Sequence, residues 1–203
     1  MRTADPYKAQ HRRRQILGAA VECFARHGFH ATSTAQICAA AGMSPGNLFH
    51  YFPSKAAIIA AIAEQEQDNM LRLFERWSAA EDALGAIEEL ALAMMALSSD
   101  PLQARISIEV AAEATRNPQV GALFAANEAQ VKAGLAVLLE RGMAAGQVDP
   151  QLDPDKAAVW LVALTEGAIA RVVLEPGFKA REHQPMLRQI IRRFLRPQPL
   201  EPG

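Results

Sequence analysis

Cysteine is scarce in this 203-residue chain, which holds only Cys23 and Cys38. Two thiols cannot make a disulfide scaffold, and no Cys/His spacing resembles a zinc site. Neither cysteine has a partner base near it in sequence, so each reads as a small core hydrophobe rather than a redox sensor. Long apolar runs are missing too. No window approaches the roughly 18 uninterrupted apolar residues of a membrane span, and the start has no apolar core of a signal peptide. The expectation is a cytoplasmic protein that neither crosses a membrane nor enters the usual secretory route. Chemistry is equally sparse: there is no nucleophile with a base, no paired carboxylate in a setting that would raise a pKa, no metal cluster and no glycine-rich phosphate loop. An enzyme is not expected, and no catalytic residue, metal or cofactor is assigned.

What is present is a core-forming composition, 50% hydrophobic and 21% charged, enough for one large domain or a small one beside a larger. The net charge of −1 hides an asymmetry. Residues 1–55 carry seven Lys/Arg against two acids, a charge of +5, and the remainder carries −6. Four of the five histidines (His11, His27, His30, His50) also lie in the first part. Such a division suits a small head that seeks an anionic partner and an acidic body that does not.

No run alternates with period two for long, and nearly every segment reads as helix. The predicted fold is all-α with about nine helices, over roughly 7–27, 33–41, 44–51, 54 to the mid-seventies, 82–98, 101–116, 118–145, 153–175 and 183–196. Ile16, Ala20, Cys23 and Phe24 mark the inner face of the first helix. Asp153-Pro154-Asp155 is a strong start signal, since Asp accepts backbone N–H bonds and Pro has the right φ. Pro197, Pro199 and Pro202 crowd the last seven residues, so 197–203 is expected to be disordered. The domain division expected is 1–56 and 57–203.

The informative stretch is 28–55, GFHATSTAQICAAAGMSPGNLFHYFPSK. Thr32, Ser33 and Thr34 offer a cap for one short helix. Gly42 can take a positive φ at a tight turn. Ser44 caps a second short helix with Pro45 at its first position, and Leu48, Phe49 and Phe52 are its expected inward face. Two short helices joined by such a turn form a helix-turn-helix, with the second fitted to a DNA major groove. Small Ser44, Pro45 and Gly46 at its tip let the backbone approach bases. Asn47, His50, Tyr51 and Lys55 can reach bases or phosphates. Arg12, Arg13 and Arg14 add a basic run that is either a phosphate contact or a solvated face.

Residues 12–58 closely resemble the DNA-binding region of the TetR family of bacterial transcriptional regulators. Ile16-Leu17, Ala19-Ala20, Phe24, Gly28-Phe29, Thr32-Ser33, Ile37, Ala41-Gly42-Met43-Ser44, Gly46, Leu48-Phe49, Tyr51-Phe52 and Lys55 carry the resemblance. It implies that Ser33, Thr34, Asn47, His50, Tyr51 and Lys55 contact DNA, the last three mostly through phosphates. Two departures are Cys38, where the family usually has Ala, and Phe49, where it often has Tyr. Loss of that hydroxyl assigns Phe49 to the core.

The body resembles the effector-binding and dimerisation domain of the same family. IEVAAEATRNP (108–118) and the Asp153-Pro154 helix are similar to members with a choline-regulator-like C-terminal domain. The helix of 153–175 is apolar around most of its circumference from Ala157 to Leu164, so burial on several sides is expected. One subunit cannot satisfy it and the broad stripe of 183–196 together, so these two helices are the expected homodimer surface. Gly167 would permit a close backbone approach there. The family implies a small-molecule effector between the body's helices. Glu109 and Glu113 continue the apolar stripe of Leu102 and Ile106, and either line that cavity or pair on the surface with Arg105 and Arg116. Met94, Phe124, Trp160 and Thr165 are further wall candidates. The expected function is a dimeric, ligand-responsive regulator, most simply a repressor that an effector releases from a palindromic double-stranded operator. The alternative is a helical enzyme or carrier whose N-terminal resemblance is incidental.

Overall fold

Proline opens five of the helices in the computed structural model, which describes residues 6–77, 79–97 and 99–196. The elements are α1 (Pro6–His27), α2 (Thr34–Ala41), α3 (Pro45–Tyr51), α4 (Lys55–Trp77), α5 (Ala83–Leu97), α6 (Pro101–Ala114), α7 (Pro118–Ala144), α8 (Pro154–Leu174) and α9 (Ala180–Leu195). Each leading proline stands where a backbone N–H has no intrahelical acceptor, so the missing donor costs nothing. Among the described residues there are nine helices and no strand, the all-α architecture legible in the sequence. The expected disorder of 197–203 concerns residues outside those described.

The described residues cluster into two compact units. The first holds residues 6–67 and 105–125, and therefore α1 to α3, the first half of α4, most of α6 and the start of α7. Its core joins Ile16, Ala20 and Phe24 of α1, Ile37 and Ala41 of α2, and Leu48 and Phe52 of α3 to Ile58, Ile59 and Ile62 of α4. Ile106 and Val110 of α6 and Val120 of α7 complete it. Each such side chain contributes roughly 1.5–3 kcal/mol by leaving water. That is how a seven-residue helix such as α3, too short to persist alone, is held in place. Gly121 brings α7 close under the end of α6: a Cβ there would lie 2.7 Å from the Ala114 carbonyl oxygen.

The second unit holds 68–104 and 126–196. Ile87, Leu90 and Met95 of α5 pack with Leu135, Leu138 and Leu139 of α7, Ala158 and Leu161 of α8, and Leu187, Ile191 and Leu195 of α9. Within this core sits one carboxylate, Glu88, 0% exposed. Arg192 Nε lies 2.5 Å from its Oε1 and Arg188 Nη1 lies 3.3 Å from its Oε2, while Arg188 Nη2 bridges to Glu89 at 2.5 Å. Arg188 and Arg192, on the polar side of α9, are thus structural.

α7 and α8 are long and apolar enough, by length and composition, to cross a membrane. Their apolar residues are used in part by the second core. Burial of α8 on several sides is not found within one chain, however. Ala157, Ala158, Leu161, Val162 and Thr165 are buried, but Val159, Trp160 and Leu174 are exposed, because α5 and α9 cover one side only.

Candidate nucleic-acid interface

α2 starts with reciprocal hydrogen bonds. Gln36 N donates to Ser33 Oγ at 3.2 Å, and Ser33 N donates to Gln36 Oε1 at 2.7 Å. This arrangement satisfies two helix-end donors at once. Ser33 is therefore the cap, whereas Thr32 is buried and its hydroxyl serves the carbonyls of Gly28 (2.8 Å) and Cys23 (3.1 Å). α2 ends at Gly42, whose φ of 63° lies in the left-handed region that L side chains hold only with strain. Ser44 then caps α3, accepting from Asn47 N at 3.4 Å, with Pro45 at the first helical position. Gln15 of α1 fixes the turn by donating to the Ala41 carbonyl at 2.8 Å.

Leu48 and Phe52 lie one turn apart and are fully buried, so the opposite face of α3 is free. Ser44, Pro45, Gly46, Asn47 and His50 are exposed, Tyr51 is half-buried, and on α2 Thr34 is half-buried. A Cβ added at Gly46 would meet nothing within 4 Å, so its smallness answers no contact inside the chain. The His50 and Tyr51 rings meet edge to face at 5.1 Å. Phe49 departs from the sequence expectation: it is 47% exposed, not core. Seven residues of helix supply one inward pair four apart, and Phe49 lies about 100° round the axis from Leu48.

The flanking cations divide. Arg13 lies over the Phe52 ring at 4.5 Å and near Glu64 at 4.0 Å, and Arg12 donates to Gln15 at 2.9 Å. Arg14 is exposed. Lys55 turns inward: its Nζ donates to the carbonyls of Phe29 (2.6 Å), Thr32 (2.8 Å) and His30 (3.2 Å), and sits 4.4 Å from the Phe29 ring centre. Burial pushes its ammonium below the ordinary lysine value, while nearby Glu113 acts the other way. In this arrangement all three of its donors serve the loop between α1 and α2.

That loop also receives both carboxylates that the sequence singles out. Glu109 Oε2 accepts from Phe29 N at 2.8 Å. The buried Glu113 lies 3.2 Å from His30 Nε2, in ion-pair range but not aligned as a hydrogen bond. Arg105 and Arg116 are not the partners found. The other wall candidates fall in different places. Phe124 packs half-buried on the first core, and Met94 on the second. Thr165 is buried with its hydroxyl bonded to the carbonyls of Val162 and Leu161, whereas Trp160 is 64% exposed.

Sequence reasoning passes over one titratable group here. Half-buried Glu66 of α4 accepts from Ser107 Oγ of α6 at 3.3 Å, and burial pushes its carboxyl up to about 7. A folded-state value above the unfolded one means that the folded protein holds this proton more tightly. Stability is therefore lost as pH rises from the ordinary carboxyl value through about 7. Glu66→Gln is expected to match the wild type near pH 4.5 and to exceed it at pH 8 by on the order of 2 kcal/mol in urea unfolding. Equal unfolding midpoints at pH 8 would contradict this.

Residues 16–62 match the family described as bacterial regulatory proteins, tetR family, and residues 80–196 match the C-terminal domain of BetI-type transcriptional repressors. The chain is similar to the HTH-type transcriptional regulator UidR of Escherichia coli K12, with 30% identity over 169 residues, 83% of this chain and 85% of that protein. It is also similar to the HTH-type transcriptional repressor Rv1474c of Mycobacterium tuberculosis, with 29% identity over 161 residues, 79% of this chain and 82% of that one. Among solved structures, Salmonella enterica GusR superposes with a TM-score of 0.76 at 31% identity, over 96% of this chain and 99% of that one.

Proposed function

Since the chain belongs to the TetR family of bacterial transcriptional regulators and carries a BetI-type C-terminal domain, we propose that it is a dimeric repressor released from a palindromic operator by a small-molecule effector. The family is one of regulators, which sets aside the enzyme or carrier reading. The observation that carries the proposal is α3 itself. It is a short helix pinned by Leu48 and Phe52, capped by Ser44, and bare on the side that bears Gly46, Asn47 and His50.

In this reading residues 1–56 are the DNA-binding domain and act in the cytoplasm, where the operator is. Ser44, Pro45 and Gly46 bring the α3 backbone to the groove. Asn47 reads a base edge, Thr34, His50 and Tyr51 hold phosphates, and Ser33 reaches DNA only by giving up its bond to Gln36 Oε1. Lys55 acts from behind by fixing the α1–α2 loop, and reaches a phosphate only by giving up a carbonyl. Residues 57–203 bind effector and pair the subunits through α8 and α9. Their outward residues Val159, Trp160, Leu174, Met186 and Ile190 are large, apolar and exposed in the single chain. We assign Trp160 to that interface. The effector is assigned to the second unit of the helical body, with Met94 and Thr165 among its walls, whereas Phe124 belongs to the first core and Glu109 and Glu113 link α6 to the loop beside α2.

Two heads of one dimer must present their α3 helices roughly 34–36 Å apart to enter successive major grooves. An effector that binds better to a wider-spaced dimer releases DNA by shifting that equilibrium, with no direct contact to the head. The test is binding to DNA upstream of the protein's own gene, and to duplexes selected from a random pool, at two salt concentrations. About six phosphate contacts predict a loss of about a thousandfold between about 50 and about 200 mM salt. The Asn47→Ala/His50→Ala/Tyr51→Ala variant should fold and bind no duplex above background. If no duplex is preferred to random DNA, the repressor reading fails.

A further inference from the structure

We propose that Phe49 is a base-reading residue, which recognises the C5-methyl group of a thymine in the major groove by apolar contact. The inference rests on the DNA-binding reading of α3 and names the chemistry of its target.

The starting point is a shortage. The outward surface of the helix-turn-helix has few side chains able to read a base by hydrogen bonds. Ala35, Ala39 and Ala40 on α2, and Pro45 and Gly46 on α3, are exposed and carry no polar side-chain atom. Ser33 and Ser44 are occupied as helix caps, and Lys55 serves three carbonyls. Asn47 is the exposed amide of α3. A surface so poor in donors and acceptors reads sequence through what apolar atoms distinguish. In the major groove that is the thymine methyl, which neither cytosine nor a purine presents.

Phe49 is the large apolar group available for it. At about 100° per residue, Gly46 and His50 form the ridge of α3 opposite buried Leu48 and Phe52. Asn47 and Phe49 flank this ridge on its two sides. Phe49 is 47% exposed and joins neither core cluster, and its ring is paired with no other described aromatic. About half of the residue's surface is thus left open to a partner outside the chain. The open space over Gly46, one turn before it, lets a base edge come in beside that ring. Without a hydroxyl, Phe49 cannot donate to a phosphate, so a non-polar base feature is the partner left to it. The basic head supplies the anionic attraction that brings the groove to this surface.

The experiment uses the full-length protein and a tight-binding duplex selected from a randomised pool, made once with thymine and once with deoxyuridine. The two duplexes differ only in the methyl groups. Wild type should bind the thymine duplex more tightly by about fourfold for each methyl covered, the ratio that follows from about 0.8 kcal/mol per buried carbon. Phe49→Ala should bind the thymine duplex more weakly and show a ratio near one. Asn47→Ala should bind more weakly yet keep the wild-type ratio. Equal wild-type affinity for the two duplexes overturns the proposal while leaving the DNA-binding reading intact. A ratio unchanged in Phe49→Ala overturns it as well, by assigning the methyl to another residue. If no duplex is enriched over random DNA, the DNA-binding reading falls and this proposal falls with it.

Discussion

Replacing Arg188 and Arg192 together by methionine is expected to lower the melting temperature by roughly 10 °C, more than removing Glu88 itself. The reason is an asymmetry of burial. Glu88 is 0% exposed, whereas both arginine side chains keep part of their surface in water. Taking away Glu88 leaves two guanidinium groups that can turn outward and be hydrated. Removing the arginines leaves a fully buried carboxylate without the two cations that compensate it. Adding Glu88→Leu to the double variant should restore most of the loss, because a well-packed apolar triad can replace a buried ion cluster at little net cost. Thermal melts of the three variants check all of this. A double variant that melts with the wild type would mean that the arginines do not compensate the burial of Glu88.

Glu88 also marks where the sequence stops being legible. The nine helices can be read from proline, glycine and apolar spacing, since those signals act within a turn or two of chain. Their ends fall close to expectation, apart from the start of α9. It begins at Ala180 and carries Pro185 in its second turn, where a single lost backbone bond is tolerated. The helix-turn-helix is legible to the level of its caps, because Ser33, Gly42 and Ser44 act on neighbours three or four residues away. Partners distant in sequence are not. Glu88 meets arginines about a hundred residues on, and Glu109 meets a backbone N–H eighty residues back. A spacing argument on α6 alone could propose only local partners, Arg105 and Arg116. Phe49 shows a different limit. On a seven-residue helix the apolar period has too few members to separate inside from outside, so an exposed phenylalanine and a core one look alike. An acidic pair in the otherwise apolar run of α5 was the available sign of Glu88.

The second large effect concerns the outward face of α8, where the single chain leaves an apolar stripe without a partner. Trp160, Ala163, Gly167, Ala170 and Leu174 recur at intervals of three and four, interrupted by Arg171 and edged by Glu166. Met186 and Ile190 of α9 are exposed and apolar as well. A Cβ built at Gly167 meets nothing within 4 Å, so no contact inside the chain requires glycine there. In an exposed helix interior, glycine costs about 1 kcal/mol relative to a good helix former. Gly167→Leu should accordingly leave the isolated subunit folded, with its local helix strengthened. In a dimer packed through this stripe the same change pushes two backbones apart. The prediction is therefore opposite in sign for the two properties. Gly167→Leu, and Trp160→Glu independently, should run as monomers in light scattering while keeping wild-type far-UV circular dichroism. Affinity for a palindromic duplex should fall by about a hundredfold or more, because a second head tied to the first binds at high effective concentration and a free one does not. Affinity for a single half-site should hardly change. If Gly167→Leu remained a dimer with full palindrome affinity, the interface would lie elsewhere, and the exposed apolar side chains of α8 would need another occupant.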